Sequence, residues 1–463
     1  MLFHVAGTWS LPLIDRDEPR FAEAAREMRE RRDYVIPYFN NRYRFDKPPL
    51  TYWCQVASFN FLGENDFAAR LPSTIAAALT AFLIFAWGSR IGGRNLAWWA
   101  AIIFTLSLQT FIHAKAAVAD MWLVLFVTLA HWAGWELLQD NTKITRRRWW
   151  WILYAALAFA FLTKGPVGWT PILVIGSLIF YLRHSLPAHR FKLMRGILVT
   201  LAIISFWAVP ALVYTNWEFA RVGIGRHVIG RSIATMEGHG AGSFITYVLL
   251  LPFYFLTIFA SFFPWSIKLP ALVRDLWGKR DQTDRYLVGA SIIIFAIFTL
   301  VRTKLPHYTL PAIPLISLLL ARVLLARNST SFLKRCAIAT TTIYLATALL
   351  APPLVAHLFP ARELFRQAHD YLQPDMEFGA VDFTEPSLVW YFRGRAKGFL
   401  TTLKERRSRD FMSRPGPRFV IVPTSMAATL FPDHPGEWKF FRARGFNIVK
   451  GKPVDLTLVL KSD

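Results

Sequence analysis

Cysteine and acidic side chains are scarce in this sequence. Its 463 residues include two cysteines, and 30 Asp and Glu stand against 53 Lys and Arg. Two cysteines exclude a disulfide-rich scaffold. The sequence also lacks a glycine-rich phosphate loop, which argues against a nucleotide-sugar site of that kind. No internal repeat or low-complexity segment is evident.

Charged residues of either sign make up 18% of the chain, whereas 54% are apolar and 15% are aromatic. This composition is too apolar for an ordinary soluble protein and indicates a membrane protein. Backbone exposed to lipid must satisfy its hydrogen bonds internally, so apolar segments near the spanning length of roughly 20 residues are expected to be helices. We predict ten spans, at 71–89, 96–112, 117–138, 149–163, 168–182, 196–215, 244–263, 286–301, 307–326 and 336–358.

The net charge of +23 would suggest a nucleic-acid partner in a soluble protein, but its distribution favours a membrane explanation instead. Alternate loops hold 18 Lys and Arg against four acids, at 90–95, 139–148, 183–195, 268–285 and 327–335. The positive-inside rule therefore assigns these loops to the cytoplasm and predicts no nucleic-acid partner. The segment 14–70, the loop 216–243, the short turns near 115, 165 and 304, and the tail after 358 are predicted to lie outside.

The two ends of the chain differ from its middle. Residues 1–13 form about half a span and lack the features of a signal peptide, so we expect a remnant of a first transmembrane helix that starts upstream of Met1. The tail, 359–463, contains short β-rich runs separated by Pro and Gly (EFGAVDF, SLVWYF, RFVIVP, FNIVKG, LTLVL) and predicts a small α/β domain. The chain is thus expected to comprise this remnant, an outer loop (14–70), a helix bundle (71–358) and the tail domain.

The outer loop 14–70 is highly charged but strongly patterned. Apolar residues from Phe21 to Met28 recur at helical spacing, which predicts an amphipathic helix at the membrane surface. The aromatic segment 50–62 is typical of the membrane interface. Between them, the prolines of RYRFDKPPL hold Asp46 and Lys47 in a rigid turn.

Asp17 and Glu18 stand at the start of the first of these helices. Acids are favoured there, and Asp15 with Glu18 has the spacing of a capping box, so helix capping is one interpretation. A catalytic role is the other.

The remaining outer turns place isolated polar groups beside spans. They are Lys115, Asp120, Lys164, Arg226, His227, Arg231, Arg302, Lys304, His307 and Tyr308. Snorkelling accounts for any single lysine, but not for the repeated pairing of a cation with proline in DKPP, TKGP and TKLPHY. Cations beside carboxylates at the membrane edge suggest a site for an anionic lipid head group.

In order and spacing, DRDEPRFAEAAREM, RFDKPPLTYW, AVADM, LTKGPVG and TKLPHYTLP resemble the GT-C glycosyltransferases that use polyprenyl-phosphate sugars. The likeness covers about residues 9–325 and is strongest to the superfamily of the lipid A aminoarabinose transferase and the protein O-mannosyltransferases. It implies a multi-pass protein of the bacterial inner membrane with its active site on the periplasmic side. The implied acceptor is lipid A, an envelope glycan or a protein hydroxyl.

The resemblance also implies roles for individual residues. Asp17 matches the catalytic carboxylate, with Glu18 beside it. The residues expected to hold the donor phosphate or line its cavity are Arg20, Lys47, Lys115, Asp120, Lys164, Arg231, Lys304 and Tyr308. Asp46 and His227 are the expected ligands of a divalent metal, with zinc as the candidate.

The expected reaction is a single displacement. Asp17 removes the acceptor proton while the acceptor oxygen attacks the anomeric carbon opposite the phosphate, which inverts its configuration. A transporter, or a protein that binds lipid-linked sugars without catalysis, is the alternative. Against a transporter, the polar groups gather on one face and no two-half repeat is seen.

Overall fold

Two compact units make up the protein in this computed structural model. The structure describes residues 1–139, 141–181, 188–230, 244–276, 281–432 and 437–462. The helical unit comprises residues 1–4, 45–51 and 72–344. The mixed unit comprises residues 5–44, 52–71 and 345–463. Both units join segments that are distant in sequence, and the predicted division into four consecutive parts stays a prediction.

Helices dominate the chain up to residue 355, as its apolar runs predict. In chain order the α-helices are Leu2–Val5, Asp17–Arg31, Leu50–Leu62, Asp66–Thr105, Leu108–His113, Asp120–Leu138, Lys143–Lys164, Thr170–Tyr181, Leu193–Tyr214, Phe244–Leu249, Phe253–Ser261, Leu269–Leu276, Gln282–Leu300, Ile313–Ala326 and Thr330–Val355. Short 3-10 helices occupy Gly165–Trp169, Ala188–Arg190, Trp265–Lys268 and Pro306–Ala312, and a π-helix occupies Phe219–Gly230. One short hairpin pairs strands Tyr38–Phe39 and Arg42–Tyr43.

Within the described residues, seven helices are long and apolar enough to cross a membrane, or eight if a pair bent by 119° is one span. Two of these helical segments each contain most of two predicted spans. Helix Asp66–Thr105 contains most of two predicted spans and leaves helical geometry at Gly92 and Gly93, where we expected a loop. Gly93 has a φ of 81°, which favours glycine. Segment 143–177 likewise contains parts of two predicted spans, and the chain turns between them at Gly165.

Small residues let the long helices of the helical unit pack closely. A Cβ at Gly196 would lie 1.9 Å from Cζ of Tyr154, and Thr200 Oγ1 donates a 3.0 Å hydrogen bond to the Tyr154 carbonyl. The backbone of helix Leu193–Tyr214 therefore packs directly against the Tyr154 ring of helix Lys143–Lys164.

The C-terminal part of the mixed unit forms a five-stranded sheet flanked by short helices. The sheet order is Leu400–Thr402, Glu377–Ala380, Arg418–Pro423, Lys452–Lys461 and Lys439–Asn447. The first three strands are parallel, whereas the last two pair antiparallel. Helices Pro360–Ala368, Pro386–Phe392, Glu405–Ser413 and Thr424–Leu430, with 3-10 turns Ala356–Leu358 and His369–Tyr371, complete this part. The predicted fold class, a helical membrane bundle with a small C-terminal α/β domain, is confirmed.

One predicted strand is wrong. The run SLVWYF lies in helix Pro386–Phe392, which begins with proline after the extended Glu385. Proline suits the first turn of a helix, and a short apolar run does not by itself distinguish a strand from a buried helix.

The charged side of helix Asp17–Arg31 is also buried, although an amphipathic pattern predicts that it faces water. Glu23 and Glu27 are both fully buried, and Arg393 forms ion pairs with both. Arg26 donates a 2.8 Å hydrogen bond to the Trp390 carbonyl. The C-terminal part of the mixed unit therefore covers this side of the helix.

Candidate active site

A cavity in the helical unit brings together most of the proline-fixed polar segments of the outer turns. Its volume is about 260 Å³. Three segments supply its polar lining, namely residues 45–48, 164–167 and 301–308. The described polar lining residues are Asp46, Lys47, Lys164, Thr303, His307 and Tyr308. The apolar walls include Phe45, Leu123, Phe161, Ile204, Trp207, Leu212, Phe219 and Phe298. A cavity lined by cations and by apolar walls suits a phosphate attached to a long hydrocarbon chain.

Lys164 reaches the cavity from the last turn of helix Lys143–Lys164. Its ammonium lies 2.6 Å from a carboxylate oxygen of Asp120, the first residue of helix Asp120–Leu138. The two side chains are 13% and 10% exposed. The chain can turn sharply after Lys164 because Gly165 has a φ of 73° and Pro166 lies in the first turn of the following 3-10 helix. Asp120 thus fixes the position of the Lys164 charge.

His307 continues this cluster. Its Nε2 lies 3.9 Å from the Asp120 carboxylate, and its ring centroid lies 5.2 Å from the rings of both Tyr308 and His113. Lys47 and Lys164 also interact electrostatically with His307. The structure therefore gathers two lysines, a carboxylate and an imidazole around one cavity.

Sequence reasoning placed His307 among the polar groups of the outer turns but gave it no role, and it did not select His113. His307 is part of the TKLPHY motif, and its position next to Tyr308 was the available signal. His113 precedes Lys115 in a turn, and its proximity to His307 depends on contacts between residues 194 positions apart, which no local pattern reveals.

Lys47 and Asp46 enter the cavity from the turn before helix Leu50–Leu62. Both side chains are partly buried, and Pro48 also lines the cavity. The proline ring fixes φ and so limits the conformations of this turn. The sequence-based prediction that DKPP presents a rigid cation agrees with this placement.

Lys115 and Lys304 do not line the cavity. Lys115 donates hydrogen bonds of 3.1 and 3.0 Å to the carbonyls of Phe3 and His4. Lys304 is 6% exposed, and its ammonium donates to the carbonyls of Phe298 and Thr299 near the end of helix Gln282–Leu300. Burial lowers the pKa of Lys304. A cation near a helix C-terminus interacts favourably with the helix dipole, which accounts for Lys304 structurally.

The acids at the start of helix Asp17–Arg31 belong to the mixed unit. Glu18 is buried and forms a two-point ion pair with Arg70, at 2.9 Å from Nε and 2.7 Å from Nη2. It also accepts a 2.7 Å hydrogen bond from the Ile14 amide. These contacts give Glu18 a structural function. Asp17 is exposed and Arg20 is partly buried.

The capping box considered for Asp15 and Glu18 is not formed. Asp15 instead accepts hydrogen bonds from the amide and hydroxyl of Ser387, at 2.9 and 2.5 Å. Desolvation raises the pKa of Asp15 to about 7, against the opposing effect of the Ser387 hydrogen bonds. Arg16 is the N-cap residue of the helix and makes no capping hydrogen bond through its side chain.

Of the two expected metal ligands, the structure describes the side chain of Asp46 alone. Arg231 lies outside the described residues, as do the side chains of Arg226 and His227 in helix Phe219–Gly230. Within the described residues, no group of three or more His, Cys, Asp or Glu side chains is arranged to hold a metal ion. Asp46 alone is a weak basis for a zinc site.

Known proteins resemble this chain in sequence. Residues 46–209 match the family model described as dolichyl-phosphate-mannose-protein mannosyltransferase. An uncharacterized protein of Aquifex aeolicus is 31% identical over 330 residues, which are 70% of this chain and 71% of that protein. The undecaprenyl phosphate-alpha-4-amino-4-deoxy-L-arabinose arabinosyl transferase of Aeromonas hydrophila is 27% identical over 69% of this chain, but the match spans 58% of the transferase.

The fold also matches a solved structure, that of ArnT from Cupriavidus metallidurans bound to undecaprenyl phosphate. The TM-score is 0.79 at 18% sequence identity, and the match covers 98% of this chain and 96% of that chain. At this identity the likeness establishes the fold, which agrees with the family resemblance of the sequence motifs. The chain belongs to the GT-C family of membrane glycosyltransferases, in the superfamily of the aminoarabinose transferases and the protein O-mannosyltransferases.

Proposed function

We propose that this protein is an inverting glycosyltransferase that moves a sugar from a polyprenyl-phosphate donor to an acceptor on the outer face of the membrane. The observation that carries the proposal is the cavity in which Lys47 and Lys164 meet apolar walls. The outer-face assignment follows from the positive loops at the opposite ends of the spans.

The donor class follows from the chemistry of the cavity. A sugar on a polyprenyl phosphate carries its own leaving group, and the phosphate gains negative charge as its bond to the sugar breaks. Fixed cations that face this developing charge stabilise the transition state. In this chain Lys47 and Lys164 supply them, and the apolar walls accommodate the first prenyl units. The Aeromonas relative is named for an undecaprenyl-phosphate sugar, which supports the same donor class here.

Asp120 acts on the donor through Lys164. The Asp120 carboxylate lies 2.6 Å from the Lys164 ammonium and holds it in position. It also partly compensates the positive charge of Lys164 when no donor is bound. His307 and Tyr308 line the same wall and offer an imidazole and a hydroxyl to the phosphate oxygens or the sugar. Asp120 is thus a positioning residue, whereas Lys47 and Lys164 contact the donor.

We assign the general base to Asp17. The motif resemblance supports this assignment. Asp17 is also exposed, whereas the neighbouring Glu18 is already paired with Arg70. Asp17 accepts the proton of the acceptor hydroxyl as its oxygen bonds to the anomeric carbon. The bond from that carbon to the phosphate oxygen breaks, and polyprenyl phosphate leaves with the electron pair.

Within the described residues, no three His, Cys, Asp or Glu side chains are arranged to hold a metal ion, and no step of this mechanism passes through one. The expectation that Asp46 and His227 share zinc is testable separately. Elemental analysis of chelated and reconstituted protein should show zinc that is lost in His227→Ala. Equal zinc in the two proteins would remove the metal.

Transfer from a polyprenyl-phosphate sugar in proteoliposomes tests the proposed function. The wild type should release polyprenyl phosphate and form a product of inverted configuration, whereas Asp17→Asn should bind the donor without turnover, because an amide cannot take the proton. Donor binding without transfer by the wild type, with each acceptor class supplied, would favour a lipid-linked-sugar binding protein. Near-normal turnover by Asp17→Asn would leave that residue without a catalytic role. Mass spectrometry of lipid A, envelope glycans and glycoproteins from a deletion strain would identify the acceptor.

A further inference from the structure

A second cavity of the helical unit is basic and aromatic, and we call it the basic groove. Its volume is about 620 Å³. It lies between the first turns of helix Lys143–Lys164 and the segment that leads into helix Leu193–Tyr214. Its described lining residues are Lys143, Ile144, Arg146, Arg147, Trp150, Trp151, His189, Arg190, Lys192 and Arg195. None of them lines the candidate active site.

Hydrogen bonds and close packing fix the walls of the basic groove. Trp150 Nε1 and Tyr154 Oη both donate to the carbonyl of Phe191, at 2.7 and 2.8 Å. Gly196 allows its helix to lie against the Tyr154 ring, where a Cβ would clash. The two walls therefore keep their separation without a ligand, which lowers the entropic cost of binding one.

The basic groove concentrates charge of one sign. Six of its lining residues are Lys or Arg, and none of its described lining residues is acidic. Arg190 donates a 2.8 Å hydrogen bond to the Gln139 carbonyl. The other five cations form no ion pair with an acidic side chain in the described part of the chain, from which Asp140 is absent. Like charges held together repel, so an anion in this groove would be strongly attracted.

The position of the basic groove indicates the kind of anion. Both helices that form it are long and apolar enough to cross a membrane, and the groove lies at the end of each. Trp151 is 49% exposed, and its ring packs edge-on against Trp150 at 5.0 Å. Tryptophan is favoured at the level of the lipid head groups, where its ring contacts both the glycerol region and the acyl chains.

We propose that the basic groove binds the phosphate of an anionic phospholipid. The guanidinium groups of Arg146, Arg147 and Arg195 bind the phosphate oxygens, and Trp151 covers the start of an acyl chain. Arginine suits this function because its planar fork makes paired hydrogen bonds to phosphate. The positive-inside rule explains why these loops carry positive charge. It does not require six cations to line one groove between two helices. The proposal is independent of sugar transfer.

Fluorescence quenching by brominated lipids tests the proposal on the full chain in bilayer discs. Brominated phosphatidylglycerol in a phosphatidylcholine bilayer should quench a component of the tryptophan emission that is missing in Trp151→Phe. Brominated phosphatidylcholine in a phosphatidylglycerol bilayer should not quench it. The triple variant Arg146→Gln, Arg147→Gln, Arg195→Gln should need at least about tenfold more phosphatidylglycerol for the same quenching.

A matched control variant distinguishes binding in the basic groove from a general attraction of anionic lipid to the positive loops. Arg285, Lys334 and Arg335 are also exposed cations of the predicted cytoplasmic loops but do not line the groove. Their replacement by Gln removes the same charge and should leave the quenching curve unchanged. Equal weakening in both triple variants, or equal quenching by the two lipids, would overturn the proposal. Displacement of the lipid by millimolar inorganic phosphate would also overturn it, because the ligand would then be a soluble anion.

Discussion

Removing the charge of Asp120 should destabilise the protein, and removing the charge of Lys164 as well should restore its stability. The two groups are 2.6 Å apart and 10–13% exposed. Loss of one member of a buried ion pair costs roughly 3–5 kcal/mol because the other charge is left without compensation. Since both groups keep some exposure, we expect the lower end, about 3 kcal/mol, for Asp120→Asn.

The double variant Asp120→Asn, Lys164→Met should regain most of this stability, because it leaves neither member of the pair charged. Sugar transfer should behave differently. Lys164→Met and the double variant should both lose roughly 10²–10³-fold in kcat, since neither retains the cation that faces the leaving phosphate. Unfolding in mixed micelles and proteoliposome transfer measure the two effects separately. Normal transfer by Lys164→Met would refute the donor-site reasoning, and a double variant as unstable as Asp120→Asn would refute the pairing argument.

Three further perturbations test other parts of the structure. Arg393→Met should lower the free energy of unfolding of the mixed unit by roughly 3 kcal/mol, because it removes one of the cations that pair with buried Glu23 and Glu27 and leaves them, among the described residues, only Arg26 and Arg31; exposed Arg395→Met is the control, and equal thermal midpoints would contradict the prediction. Because burial raises the pKa of Asp15 from 3.8 to about 7, its contribution to stability is complete below pH 3.8 and is lost as pH rises through 7. Asp15→Asn should therefore reduce the fall in thermal midpoint between pH 5 and pH 8, and an unchanged fall would exclude Asp15 as its source. Lys304→Met should lower thermal stability with little change in the donor KM, because the Lys304 ammonium donates to helix carbonyls. A raised KM with normal stability would instead indicate that Lys304 contacts the donor.

Local sequence patterns predicted the elements of the site better than its contacts. The second outer helix, Leu50–Leu62, has the predicted bounds, and Lys47 in the preceding proline turn lines the cavity. Proline and helical periodicity act within a few residues and are therefore visible in the sequence. The assignment of Glu18 to catalysis did not foresee its pairing with Arg70, 52 residues away, because such pairing depends on tertiary packing.

The same distinction explains the misread strand in the tail. SLVWYF has the composition of a strand, but its helix is fixed by Pro386 and by burial, which composition does not report. The loop predicted at RIGGRN coincides with a break in helical geometry at Gly92 and Gly93, because glycine interruptions are visible in the sequence. The grouping of Asp120, Lys164 and His307 joins three separate outer turns and follows from the packing of the bundle.

Binding of a fluorescent polyprenyl phosphate to the purified full chain tests the central claim most directly. Lys47→Met and Lys164→Met should each weaken binding at least about tenfold, because each removes a cation from the phosphate end of the cavity. Lys268→Met removes the same charge from the helical unit outside the described cavity lining and should bind as the wild type does. Equal affinity for all four proteins would contradict the assignment of this cavity to the donor phosphate.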